Sequence, residues 1–268
     1  MISVAPVRDA LSAATEALAA AGCDTPRLDA ELLVSDALGA DRGALITDPD
    51  RAIPSAAARV IAERVRRRVA REPVAYILGR KGFRHLDLAV DNRVLIPRPE
   101  TELLVEVALE LPDGSRVHEV GTGSGAVALA LRDERPDLEV SASDLSPAAV
   151  DVARANAARM GLELEITVAR GLPAGEFDLV LANLPYVAVG EMATLAPEIQ
   201  RYEPREALVA GPDGMAAISE LLEWAPGGTR YALEHAPHQA AAVRGLLAGA
   251  ETWRDLAGHE RVTTGRSR

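Results

Sequence analysis

Along the first 75 residues apolar positions recur three and four apart, and the stretch reads as helices only. Asp24-Thr25-Pro26 supplies a cap and a first-turn proline. Leu28, Leu32, Leu33 and Leu38 follow at helical spacing and are expected to form one buried face. A further helix is expected from Pro54-Ser55 to a basic end made of Arg64, Arg66, Arg67, Arg68 and Arg71. From about Tyr76 to Pro97 the pattern changes. Phe83-Arg84-His85-Leu86-Asp87-Leu88 and Arg93-Val94-Leu95-Ile96, separated by Asp91-Asn92, predict a β-hairpin linker. Beyond Pro99 helix and strand alternate, with strands expected at 115–120, 138–143, 164–168, 177–182 and 229–234 and an antiparallel pair near 252–256 and 260–264. Such alternation builds a parallel sheet covered on both faces. The expected fold is therefore α/β: a small helical-bundle domain over 1–75, the hairpin linker over 76–98 and a Rossmann-like domain over 99–268.

Composition changes this picture little. Apolar residues make up 48% of the chain and aromatic residues 3%, which describes a globular protein with a core of Ala, Leu and Val. Lys81 is the one lysine among 29 Lys and Arg residues, a coding bias toward arginine that says little about chemistry. A net charge of −11 disfavours unaided capture of a phosphate backbone, so no stable nucleic-acid binding is expected. The Arg64–Arg71 cluster reads first as a solvated helix face, and second as a docking patch for ribosomal RNA or an acidic protein surface. Cys23 has no internal disulfide partner. Arg8, Asp9 and Glu16 interrupt the apolar core that a signal peptide would need, so a cytoplasmic protein is expected. No apolar run approaches the roughly 20 residues that span a bilayer. The five histidines lack metal-ligand spacing, and no metal is expected.

The chemistry gathers at two strand ends. Strand Arg116-Val117-His118-Glu119-Val120 runs into Gly121-Thr122-Gly123-Ser124-Gly125 and then a helix rich in Ala and Leu. A glycine turn there lets backbone approach a ligand, and the exposed amides of the helix start favour an anionic group. The next strand ends in Asp144, placed to accept hydrogen bonds from both hydroxyls of a ribose. That pattern fits a dinucleotide or S-adenosylmethionine. Glu119 decides between them: an acid before the glycines repels a pyrophosphate but holds the amino group of a methionine moiety. The G-T-G-S-G spacing also departs from the dinucleotide fingerprint. Glu119, Gly121, Thr122, Gly123, Ser124, Gly125, Asp144 and Asn183 are the candidate residues for S-adenosylmethionine.

The strand Phe177–Ala182 is followed by Asn183-Leu184-Pro185-Tyr186, which resembles the Asn-Pro-Pro-Tyr motif of enzymes that methylate planar nitrogens. Such a nitrogen is a poor nucleophile because its lone pair is delocalised, so it must be held in the attacking orientation. The side-chain oxygen of Asn183 and the carbonyl of Leu184 can accept its two N–H bonds, and the Tyr186 ring is expected to pack on the flat substrate group. Asn183, Leu184, Pro185 and Tyr186 are the candidate catalytic residues.

The resemblance then spreads over nearly the whole chain. Tyr76-Ile77-Leu78-Gly79, Leu95-Ile96-Pro97-Arg98-Pro99-Glu100-Thr101-Glu102, Asn156, Glu203-Pro204, Gly211-Pro212-Asp213-Gly214, Glu234-His235 and Asp255-Leu256-Ala257-Gly258 join the motifs above, in order. Together they resemble the HemK/PrmC family of protein-(glutamine-N5) methyltransferases acting on peptide chain release factors. The resemblance implies a class I S-adenosylmethionine-dependent methyltransferase domain and an N-terminal domain that helps dock the release factor. It implies a Gly-Gly-Gln loop of a class I release factor presented to Asn183; direct in-line transfer without a covalent intermediate is the chemistry expected of such a site, and a monomer is expected. Glu119 stands where the family more often has Asp, Leu184 where it has Pro, and Ala169-Arg170-Gly171 where it has an acid near the adenine pocket. A ribosomal-protein glutamine methyltransferase and an adenine-N6 methyltransferase on nucleic acid are the rival readings, and a cofactor-binding module without catalysis is a third.

Overall fold

The computed structural model describes residues 6–223 and 225–268, so the first five residues of the expected helical segment lie outside it. The chain divides into two compact units, one holding the chain up to Gly79 together with Ala196–Tyr202, the other Arg80–Leu195 with Glu203–Arg268.

In the first unit, α1 (Val7–Ala20), α2 (Pro26–Ala37), α3 (Arg42–Thr47), α4 (Ser55–Val69) and α5 (Val74–Leu78) follow one another. The helix α1 buries Val7, Leu11, Ala14 and Leu18, a stripe at helical spacing. In α2 the expected face is corrected: Ala30, Leu33 and Val34 are fully buried, Leu28 is 38% exposed, and Leu32 and Leu38 are only partly covered. Asp29 is what turns the helix. Its carboxylate accepts from Arg68 Nε at 2.7 Å inside the unit, and this buried ion pair brings the neighbouring 30/33/34 stripe inward at the expense of Leu28.

The second unit opens with a hairpin, β1 (Arg80–Phe83) and β2 (Leu86–Ala89). The expected strand over 83–88 is thus split by a turn at Arg84-His85, and no named strand covers 93–96. Arg84 takes a positive φ of 48°. That backbone is held by its N–H donating to Glu102 and by its guanidinium pairing with Glu106 and Glu134. There follow α6 (Glu102–Leu109), β3 (Arg116–Val120), α7 (Ala126–Glu134), β4 (Glu139–Asp144), α8 (Pro147–Met160), β5 (Glu165–Val168) and β6 (Leu179–Ala182). The chain then runs through α9 (Pro197–Tyr202), which belongs to the first unit, and returns for α10 (Ala216–Glu223), β7 (Arg230–Glu234), α11 (Ala240–Leu246), β8 (Ala248–Arg254) and β9 (Glu260–Arg266).

The seven strands are ordered β5-β4-β3-β6-β7-β9-β8, parallel from β5 to β7 and antiparallel at β7–β9–β8. All four residues of β6 are buried, as a central parallel strand covered on both faces requires. Within β3, His118 is 1% exposed and bridges Ser141 and Ser143 at 2.8 and 2.9 Å. Burial pushes its pKa down to about 4, so this histidine is a neutral core residue. From β3 the chain winds one way through β4 to β5, and from β6 the other way to β7. The topological switch point therefore lies at the carboxyl ends of β3 and β6, where open α/β sheets bind ligands.

Candidate functional site

The register at the switch point builds the site. Val120 pairs with Ala182 and with Ser143, so the glycine turn, Asp144 and the Asn183 motif leave neighbouring strands side by side. The amides of Gly121 and Thr122 both donate to Ser143 O, at 2.8 and 3.0 Å, which ends β3 and turns the chain over the sheet edge. Gly121 and Gly123 have φ of 77° and 55°, the left-handed region that glycine enters without penalty.

A cleft of about 900 Å³ opens there, lined by Glu119, Gly121, Thr122, Gly123, Ser124, Asp144, Asn183, Leu184 and Pro185 among others. Nine of the eleven candidate residues thus meet in one cavity. Gly125 does not line it. This glycine begins α7, where a Cβ would come within 2.7 Å of Leu129 Cδ1 and 3.3 Å of Ala153 Cβ, so it serves helix packing. Tyr186 does not line it either: its hydroxyl turns to the Glu234 carboxylate at 3.4 Å, and burial with that charge raises its pKa.

Each acid is tied to backbone. Glu119, 3% exposed, accepts Thr122 Oγ1 at 2.6 Å and the Ala128 amide at 3.0 Å. Burial pushes its pKa up to about 7. Asp144 takes the Gly123 and Ser146 amides at 2.8 and 2.9 Å, each oxygen keeping capacity for a further donor. Its pKa too is raised by burial. Leu145, 64% exposed beside it, and the Arg170–Glu220 ion pair complete that end of the cleft.

Residues beyond the candidates hold the motif in place. Asn183 Nδ2 donates to Thr101 Oγ1 at 3.0 Å. Gln239 Nε2 donates to the carbonyls of Tyr186 and Asp213, at 2.9 and 3.2 Å. Gly214 has room for no side chain: a Cβ would lie 2.5 Å from Gln239 Nε2 and 2.9 Å from the Tyr186 carbonyl carbon. Buried Asn156 ties Ala89 to the Ser124 carbonyl from behind the glycine turn. Leu184 lies over Gly121, its Cδ2 3.0 Å from where a Cβ would stand. Sequence reasoning reaches Thr101, Gly214 and Asn156 only as pieces of a resemblance, and it misses Gln239, since their partners are tens of residues away.

Among the described residues no helix is long and apolar enough to cross a membrane, and no group of three or more His, Cys, Asp or Glu is placed to hold a metal ion. The basic run at the end of α4 and just beyond it is paired within the first unit: Arg64 to Asp36, Arg66 to Glu63, Arg67 to Glu72, Arg68 to Asp29 and Glu198, and Arg71 to Glu198.

Comparison with known proteins adds the family. Residues 9–79 match the model described as the PrmC N-terminal domain, and residues 99–202 the methyltransferase small domain. The chain is 42% identical over 266 residues to the release factor glutamine methyltransferase of Xylella fastidiosa, covering 93% of this chain and 96% of that one. With the proteins of that name from Caulobacter vibrioides and Mycolicibacterium smegmatis the identity is 39% and 43%, over 96% and 85% of this chain and 94% and 84% of theirs. The hMettl16 catalytic domain, solved in complex with the MAT2A 3′UTR hairpin 6, shares the fold: TM-score 0.52 at 14% identity, over 77% of this chain and 81% of that one. Matched from its helical first unit to its last strand by proteins that carry one name, the chain belongs to the release factor glutamine methyltransferase family.

Proposed function

We propose that this protein transfers the methyl group of S-adenosylmethionine to the side-chain amide nitrogen of the glutamine in the Gly-Gly-Gln loop of class I release factors. The observation that carries the reading is the placement of Asn183 and the Leu184 carbonyl at the same sheet edge as the glycine turn and Asp144.

The cleft suits the donor. At Gly123 a Cβ would meet nothing within 4 Å, so open space faces the turn, and the volume is in the range of cavities that enclose small-molecule ligands. Asp144 would hold the ribose hydroxyls, Leu145 would offer apolar surface to the base, and Glu119 would take the methionine ammonium as its charged form is restored by that partner. When bound, S-adenosylmethionine supplies an electrophilic methyl group on a sulfonium sulfur.

The rest of the work falls to the chain. Asn183 Oδ1 and the Leu184 carbonyl accept the two N–H bonds of the substrate amide, fixing the nitrogen with its poorly available lone pair toward the methyl carbon. The amide becomes acidic as it is alkylated and sheds its proton readily, so orientation and exclusion of water do most of the catalysis and a strong general base is not required. The helical first unit helps dock the release factor. Its paired arginines leave little positive charge for a nucleic acid, and the enzyme acts as a cytoplasmic monomer on a protein substrate.

Labelled S-adenosylmethionine with purified release factor tests this. Label on the native Gly-Gly-Gln loop, and none when its Gln is replaced, is the expected result. Cofactor binding with no label on either would end the release-factor reading and bring ribosomal protein and RNA forward. Asn183→Ala is expected to lower turnover far more than cofactor affinity, and equal loss of both would remove its orienting role.

A further inference from the structure

A nucleoside cofactor is told from its relatives at the base, so the end of the cleft beyond Asp144 decides which donor enters. Val168 pairs with Asp144 between β5 and β4, and the Ala169 amide donates to the Asp144 carbonyl at 3.0 Å. Arg170 follows directly on this residue, next to the carboxylate assigned to the ribose. Its Nε donates to Glu220 Oε1 at 2.6 Å, and both side chains line the cleft. A strand end and a helix remote in sequence meet there.

The helix turns one side to the cavity. Ala216, Ala217, Glu220 and Leu221 of α10 all line it, at the one-and-four spacing that shares a helical face. Three of the four are apolar, and with the exposed Leu145 they offer surface to a flat ring. Glu220 is the one charged group among them. Paired with a guanidinium, its carboxylate has no proton to give, and its two oxygens keep capacity for a further donor. With side chains 74% and 43% exposed, the Arg170–Glu220 pair adds little to stability. Substitution there therefore tests recognition and not folding.

We propose that Glu220 selects the base of the methyl donor: its carboxylate accepts the exocyclic amino group of adenine, and Arg170 is a positioning residue that holds it at the cleft. An amino group at that ring position donates to a carboxylate, whereas a carbonyl oxygen there would meet it acceptor against acceptor. The cleft accordingly takes an adenine nucleoside and rejects a hypoxanthine one. This selection rests on S-adenosylmethionine being the donor, and goes beyond it by naming what excludes a near relative.

Calorimetry with S-adenosylhomocysteine and S-inosylhomocysteine, in which the amino group is replaced by a carbonyl oxygen, reads the selection without turnover. The native protein is expected to bind the adenine compound at least about tenfold more tightly. Glu220→Gln, whose amide both accepts and donates, should bring the two within about threefold, weakening the first and strengthening the second. Glu220→Ala, which removes the acceptor, should likewise lose the preference, and Arg170→Ala should lie between native protein and E220Q. An E220Q that discriminates as sharply as the native protein overturns the proposal. So does an E220Q that weakens both compounds equally, which would mark a general disturbance of the cleft. Native protein that binds the two alike overturns the proposal and leaves the cofactor assignment standing, while native protein that binds neither overturns both.

Discussion

Gly214→Ala should damage turnover through a residue that touches no substrate. Gly214 has a φ of 75°, and an alanine there carries about 1–2 kcal/mol of left-handed strain. Its Cβ would also lie 2.9 Å from the Tyr186 carbonyl carbon, where ordinary contact begins at 3.4 Å, and 2.5 Å from Gln239 Nε2. The backbone of the catalytic motif or the Gln239 amide has to move, and Gln239 then loses its bonds to the Tyr186 and Asp213 carbonyls, each about 1 kcal/mol. The sum is about 3 kcal/mol, or roughly 6–12 °C in Tm for a domain of this size. A displacement near 1 Å passed along three residues to Asn183 costs on the order of 100-fold in kcat. The control is Gly258→Ala, with a φ of 84° and nothing within 4 Å of its Cβ, which carries the strain without the collision. Thermal melts and methyl transfer on the two variants separate the terms. If G214A turns over within about threefold of G258A, the Tyr186 carbonyl does not position the motif and the reasoning fails.

Glu119, with its pKa pushed up to about 7 by burial, should bind a methionine ammonium only as carboxylate. Affinity for S-adenosylhomocysteine, measured by calorimetry, is then expected to fall up to about tenfold per unit as pH drops below that value. Glu119→Gln should flatten the profile, and a native profile already flat from pH 6 to 8 would refute the role. Arg68→Ala leaves Asp29 buried without its cation, while Glu198 keeps Arg71, and should cost about 3–5 kcal/mol in urea unfolding. Arg66→Ala, at a side chain 73% exposed, should cost under about 0.5 kcal/mol, and similar losses for both would undo that distinction. His118, held neutral with its pKa lowered to about 4, gains a proton on unfolding between that pH and about 6.5. Native stability should therefore fall as pH falls through that window. His118→Asn should weaken the slope, and an unchanged slope would place the linkage elsewhere.

Most of the architecture is legible in the sequence because it depends on local period. The parallel strands fall within a residue or two of their expected places, and the ligand edge follows from glycines and an acid at strand ends. What is not legible depends on partners distant in the chain. The Arg84 turn carries no glycine or asparagine to announce it, and it stands because Glu102, Glu106 and Glu134 gather around one arginine. The buried face of α2 escapes leucine spacing because Asp29 goes inward with Arg68. The early start of β8 at Ala248 is hidden by Gly249, whose φ of 60° marks a bulged register that blurs the alternation. That α9 belongs with the helices of the first unit rests on Glu198 meeting Arg68 and Arg71, some 130 residues earlier.

The same distinction tells which departures from a family motif matter. Leu184 replaces a proline, yet the group the chemistry needs at that position is a carbonyl, which every residue has. What the side chain must do is avoid the glycine turn. Leu184 does so because Gly121 lacks a Cβ: one built there would stand 3.0 Å from Leu184 Cδ2, at about the limit of close contact. The turn is therefore constrained from two sides, by the backbone conformation that φ 77° demands and by the leucine above it. The motif is held differently, by the Thr101 hydroxyl on Asn183 Nδ2, by Gln239 on the Tyr186 carbonyl and by the lack of a side chain at Gly214, none of which belongs to the tetrapeptide. A motif built this way tolerates exchange of a side chain whose backbone does the work, and is sensitive to loss of a remote hydroxyl or a remote glycine. Leu184→Pro should accordingly change turnover less than Thr101→Val does.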